Sequence, residues 1–123
     1  IEIRNHDSQN PKMALALCAF YKGLLQNRIE DLLKHFSYLK IDEIEKNIQN
    51  ASKFGLDFKT TDNKEAWEIV SELYKISSLN LSSKERIYLE PIFEIIKTRK
   101  TNADILIDYG FKSAKDVVEY YLN

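Results

Sequence analysis

The chain has 123 residues, 44% of them hydrophobic, with only three Gly and two Pro, which is too apolar for a disordered protein and too poor in turn formers for a many-stranded sandwich. Its 18 basic and 19 acidic residues give a net charge of −1, so it lacks the basic excess typical of nucleic-acid-binding proteins. A lone cysteine, Cys18, excludes an internal disulfide and a CxxC motif, and no apolar run approaches the roughly 20 residues that cross a bilayer.

This composition predicts one all-helical domain over residues 1–123, built around a single core. The start of the chain shows no signal-peptide pattern. The first residue is Ile1 rather than Met, as expected of a processed form or of a piece of a longer protein. Because there is no internal disulfide, we expect a cytoplasmic location.

The N-terminal third predicts a tail followed by two helices. Residues 1–10 are polar after an Ile-Glu-Ile alternation and predict a polar tail or a short strand stub. Asn10 and Pro11 are typical of a helix start, the first as a cap and the second in the first turn. Apolar residues then recur at helical spacing, but the second half of the stripe is rotated roughly 120° from the first half. We therefore expect a break or kink near Gln26-Asn27.

The next segment predicts a short amphipathic helix. Asp42, with Glu45 three residues later, is typical of a capping box, and Gly55 stands where a left-handed C-cap is expected. One face of this helix is apolar and consists of Ile44, Ile48, Ala51 and Phe54.

A loop over 56–61 leads to the following helix, for which Thr61-Asp62 is the predicted cap. Ser82 and Glu85 form an S-x-x-E start for a further helix, Ser83–Arg99. Its apolar arc covers more than half of the circumference, so we place it near the centre of the molecule, with a kink at Pro91. The residues predicted to be core are Trp67, Ile92, Phe93 and Ile96.

Two short helices complete the chain. The first runs over 102–109 and is closed by Gly110, and the second opens at Ser113 with Asp116. The predicted fold is therefore all-α, a compact bundle or orthogonal array of six to seven helices.

The last two helices resemble a helix-turn-helix. The turn Gly110-Phe111-x-Ser113 is similar to that of AraC-type regulators, and the resemblance covers about twenty residues. It implies, as one alternative, a DNA-binding domain that uses residues 102–122. The reading helix of such a domain offers Arg, Lys, Asn or Gln to base edges. Here the outward positions of the second helix are Lys115, Asp116, Glu119 and Tyr120. Its two acids would meet phosphate repulsion, so we expect no nucleic-acid partner.

Catalytic motifs are absent from the sequence: it has no phosphate loop, no G-x-S-x-G, no H-E-x-x-H and no paired-carboxylate signature. Asp31 and His35 lie one helical turn apart, but without a third ligand they indicate an ordinary surface pair. Cys18 lies among apolar residues and is interpreted as packing. We expect no metal and no cofactor, and an enzyme with an unmarked site remains the second alternative.

Elimination favours a non-catalytic protein–protein interaction module of the immunity, adaptor, inhibitor or assembly type. The helices at 83–99 and 102–109 carry more apolar surface than a small bundle hides, and the chain ends beside them. We therefore predict a contact through Ile107 and Tyr120, with another protein or with a second copy of the chain. No membrane partner is expected.

Overall fold

The computed structural model describes residues 10–26 and 29–122, except for the side chains of Asp31 and His35. The tail or strand stub predicted for residues 1–10 lies outside the described residues, apart from Asn10. The helices, in chain order, are α1 (Pro11–Leu25), α2 (Ile29–Phe36), α3 (Ile41–Phe54), α4 (Ala66–Asn80), α5 (Ser83–Arg86), α6 (Glu90–Thr98), α7 (Asn102–Tyr109) and α8 (Ala114–Leu122), with a 3-10 turn at Ile87–Leu89.

The predicted all-α fold is confirmed. The only strand-like feature in the described ranges is an isolated bridge between Lys59 and Glu65. Because α5, the 3-10 turn and α6 follow one another without a loop, residues 83–98 form one interrupted segment, and the helical segments then number seven.

α1 lies at the centre of the molecule. It begins as predicted, because Asn10 Oδ1 accepts a hydrogen bond from Met13 N at 2.9 Å and Pro11 occupies the first turn. It ends at Leu25, so the predicted break before α2 is confirmed. α1 contacts α2, α4, α6 and the 3-10 turn. The segment 83–98 therefore packs against the central helix rather than being that helix.

α1 and α4 approach closely at Gly23. Ser77 is fully buried, and its hydroxyl donates to the Phe20 carbonyl at 2.9 Å. Asn80 Nδ2 donates to the Gly23 carbonyl at 2.8 Å. A Cβ at position 23 would lie 2.3 Å from Ser77 Oγ and 2.4 Å from the Ser77 carbonyl oxygen, so only glycine permits this contact.

The core differs from the predicted one in its members. Its buried cluster consists of Met13, Ala16, Leu81, Leu89 and Ile92, so Ile92 is confirmed as a core residue. Trp67 and Ile96 are half-buried. The prediction for Phe93 was wrong: its side chain is 46% exposed and packs against the Tyr74 ring, with centroids 5.8 Å apart.

The difference at Phe93 follows from how the segment is divided. Pro91 has no backbone N–H, and it lies in the first turn of α6, where no intrahelical donor is required. The 3-10 turn before it has three residues per turn and so rotates the apolar face relative to a continuous α-helix. Leu89, from this turn, is fully buried in the core cluster, whereas Phe93 lies outside it.

Candidate functional site

α3 has an apolar face that is left largely exposed. Ile41, Ile44, Ile48 and Ala51 share that face by their helical spacing. α3 is described over its whole length, and none of its residues is buried. Ile41 is 78% exposed and Ile48 is 63% exposed, values that exceed what a core-facing stripe retains.

Ile44, Ile48 and Ala51 of this face line one wall of an open groove of about 420 Å³ between α3 and α4, which we call the α3 groove, and Ile41 lies beside it. Its apolar lining includes Phe36, Leu39, Ile44, Ile48, Ala51, Leu56, Phe58, Ala66, Ile69 and Val70. Most of its polar side chains lie at one edge, on the loop that precedes α4 and on the α2–α3 connection, and two others, Asn47 and Glu72, come from α3 and α4. The groove is therefore mainly apolar, and its polar groups are concentrated at one edge, which we call the polar rim.

The polar rim is a tight turn closed by its own backbone. Thr60 N donates to the Lys64 carbonyl at 2.9 Å, and Asn63 N donates to the Thr60 carbonyl at 2.8 Å. Asn63 has a φ of +63°, a left-handed conformation that asparagine tolerates better than most residues. The turn thus fixes this edge of the groove directly before α4 begins.

Two contacts anchor the turn to the neighbouring elements. Thr61 N donates to Asn47 Oδ1 on α3 at 3.0 Å. The Tyr38 hydroxyl, between α2 and α3, donates to Asp62 Oδ2 at 2.6 Å and accepts from Lys64 Nζ at 2.5 Å. The turn thus connects both walls of the α3 groove.

These contacts explain why α4 begins later than predicted. Asp62 accepts from the Thr60 hydroxyl at 2.6 Å within the turn, and Thr61 N is bound to Asn47. The predicted cap Thr61-Asp62 is therefore held in the turn and does not cap a helix. α4 instead begins at Ala66, with Glu65 as its N-cap residue. The start of α3 differs in a similar way: Lys40 is the N-cap residue, and Glu43 rather than Glu45 accepts from the Lys40 backbone N–H, at 2.8 Å.

The charges of the rim favour a structural role over proton transfer. Hydrogen bonds from Thr60 and Tyr38, together with Lys64, lower the pKa of Asp62 well below its usual range. Contacts with Tyr38 and Asp62 raise the pKa of Lys64. Both groups are therefore ionised at neutral pH, whereas a general acid or base works best with a pKa near the operating pH. Asp62 and Lys64 form an ion pair at 3.1 Å that holds the turn.

The two partner-binding residues predicted from the sequence are both accessible but face different directions. Ile107 is 75% exposed and Tyr120 is 37% exposed. Tyr120 belongs to an aromatic cluster with Tyr109, Phe111 and Tyr121, with ring centroids 4.8 to 5.4 Å from its own. Ile107 and Tyr109 are about 160° apart around α7, so Ile107 projects away from that cluster.

The two short helices that the sequence predicts at the end of the chain are present as α7 and α8, and Gly110, at a φ of +63°, closes α7. The two acids of α8 are present at its surface. Asp116 accepts from the backbone N–H groups of Lys112 and Ser113, each at 3.1 Å, and Glu119 lies 3.7 Å from Lys115 Nζ. Asp116 is thus committed to capping α8, and the pairing with Glu119 offsets the charge of Lys115.

Other candidate sites are limited. Cys18 is exposed on α1 rather than packed, contrary to its interpretation from the sequence, because it falls on the outer face of that helix. The side chains of Asp31 and His35 lie outside the described part. Among the residues that the structure describes, no three His, Cys, Asp or Glu side chains are grouped to hold a metal ion. None of the described helices is long and apolar enough to span a membrane.

Compared with known proteins, the chain matches no protein-family model, no curated protein and no solved structure.

The sequence pattern predicted the apolar stripe of α3 but not the groove that the stripe lines. The 3-4 spacing of isoleucines is the same whether the face is covered or open, so the pattern alone carried no signal for exposure. Ile41, the first residue of α3, is 78% exposed, but the predicted stripe did not include it.

Proposed function

We propose that the chain is a non-catalytic protein–protein interaction module that binds its partner along the α3 groove. The observation that carries this proposal is the exposure of Ile41 and Ile48 on a helix with no buried residue. Contiguous apolar surface of this kind, bordered by polar groups, is typical of interaction sites. A groove between two helices also suits an amphipathic helix or an apolar segment of another protein.

The polar rim supports a binding role rather than catalysis. Its ionised pair, Asp62 and Lys64, keeps the rim in one position and leaves the apolar floor accessible. A preformed site loses less entropy on binding, which favours affinity. The proposal fits an immunity, adaptor, inhibitor or assembly protein, and Ile107 and Tyr120 remain a proposed secondary contact.

The proposal is tested by affinity capture. Matched variants of the tagged chain serve as bait, and partners are captured from extracts of cells that make the protein naturally. Ile48→Lys places a charge in the groove, and desolvating that charge should abolish binding. Leu79→Lys is the control, since Leu79 is similarly exposed but lies near the far end of α4, outside the groove lining. Partners should be retained by Leu79→Lys and lost by Ile48→Lys, with quantitative mass spectrometry as the measurement.

Both variants replace an exposed side chain. Their circular dichroism spectra should therefore match that of the native chain, and their free energies of unfolding should agree with it to within about 0.5 kcal/mol. Capture that Ile48→Lys leaves intact would contradict binding in the α3 groove. Capture lost instead on changing Ile107 or Tyr120 would move the site to the C-terminal helices.

A further inference from the structure

We infer that the partner on the α3 face is a second copy of this chain, with the two α3 helices packed in parallel. The inference rests on the proposed function, because it names the partner for the same face. Ile41, Ile44, Ile48 and Ala51 are spaced by three, four and three residues, as are the a and d positions of a heptad repeat. α3 therefore presents a seam that can pack against a copy of itself.

The charges beside the seam are complementary to those of a second copy. Lys40, the N-cap residue of α3, directly precedes Ile41 where a g position would fall, and Glu45 stands at the e position after Ile44. In a parallel pair a g residue faces the e residue of the partner's next heptad, so Lys40 meets Glu45 of the second copy. Two-fold symmetry repeats this pair on the other side of the seam.

Neither charge is paired with another side chain in the described part of the chain. Lys40 and Glu45 are both exposed, and no ion pair joins either of them to another residue of the described ranges. Glu43 caps the helix through its carboxylate, which leaves Glu45 available to a partner. The pairing across the seam would thus add interactions without breaking an ion pair of the described residues.

Charge also selects the direction of packing. In an antiparallel pair that brings Ile44 onto Ile48, the two copies of Glu45 come together and repel each other. The parallel arrangement replaces this repulsion with two attractive pairs. Because α3 has only 14 residues, the seam is short and the dimer should be a weak one.

The test is sedimentation velocity on the purified chain, from low micromolar to roughly 500 μM. The native chain and the Leu79→Lys control should dimerise, and Ile48→Lys should stay monomeric. Lys40→Glu and Glu45→Lys alone should each raise the dissociation constant by roughly tenfold or more, since attraction becomes repulsion at two pairs. The double variant Lys40→Glu/Glu45→Lys should restore dimerisation, and so should an equimolar mixture of the two single variants.

A native chain that is monomeric over this range would overturn the inference. So would a dimer that survives Ile48→Lys, or one whose affinity is unchanged by both charge reversals. A monomer that still captures another protein, in a manner abolished by Ile48→Lys, would overturn the second-copy inference and leave the proposed function standing. Circular dichroism at the same concentrations verifies that every variant is folded.

Discussion

The contact between Gly23 and Ser77 is possible because glycine has no Cβ. Alanine is favoured over glycine inside a helix by about 1 kcal/mol, so helix propensity alone predicts that Gly23→Ala stabilises the protein. However, its Cβ would lie 2.4 Å from the Ser77 carbonyl oxygen, and a backbone atom cannot rotate away. The helices must separate, and we expect a net loss of about 2 kcal/mol in the free energy of unfolding. Urea denaturation measures the sign, and a raised midpoint would contradict the crossing.

A second prediction concerns Glu85, which accepts from Lys22 Nζ and from the Ser82 hydroxyl and backbone N–H. These contacts, that with Lys22 first, lower the pKa of Glu85 from 4.5 to about 2. Between those values the unfolded chain binds more protons than the folded chain, so stability falls as the pH falls. The stabilisation is complete above about pH 4.5 and is lost as the pH approaches 2.

Glu85→Gln keeps a side chain that can cap the helix but removes its titration. The urea midpoint of this variant should therefore depend less steeply on pH than that of the native chain between pH 4.5 and 2. Lys22→Met should flatten the same part of the curve. Identical slopes for all three proteins would show that Glu85 is not paired with α1.

At the scale of elements, the segment 83–98 contains two large apolar side chains that differ in burial, Leu89 and Phe93. Leu89 is fully buried, and Leu89→Ala should cost about 3–5 kcal/mol. Phe93 is half-exposed beside Tyr74, and Phe93→Ala should cost only about 1–2 kcal/mol. Equal losses in chemical denaturation would indicate a continuous helix with Phe93 in the core.

Local signals predicted the elements well where a cap residue had no competing partner. Asn10, Ser82 and Ser113 all precede helices at the expected places. The prediction failed at Thr61-Asp62, where contacts with Asn47 and Tyr38, which are distant in sequence, hold the residues in a turn. Contacts of that kind are not visible in a local pattern, so the boundary of α4 could not be predicted from the sequence.

For the molecule as a whole, periodicity and composition were sufficient to predict an all-helical fold. They could not predict which apolar faces the fold covers. Both α1 and α3 carry apolar residues at helical spacing, yet Ala16 is fully buried on α1 and Ile48 is exposed on α3. Coverage depends on how the helices are arranged, which is decided by close contacts such as that of Gly23 with Ser77.

The most direct test of the central claim is site-specific photo-cross-linking. A photoreactive phenylalanine analogue replaces Ile41 at the exposed edge of the α3 face, Leu79 as a control, or Ile107 on α7. In extracts of cells that make the protein, the probe at position 41 should cross-link to a partner, whether a second copy or another protein, and the probe at position 79 should not. Cross-links from position 107 with none from position 41 would contradict binding along the α3 groove.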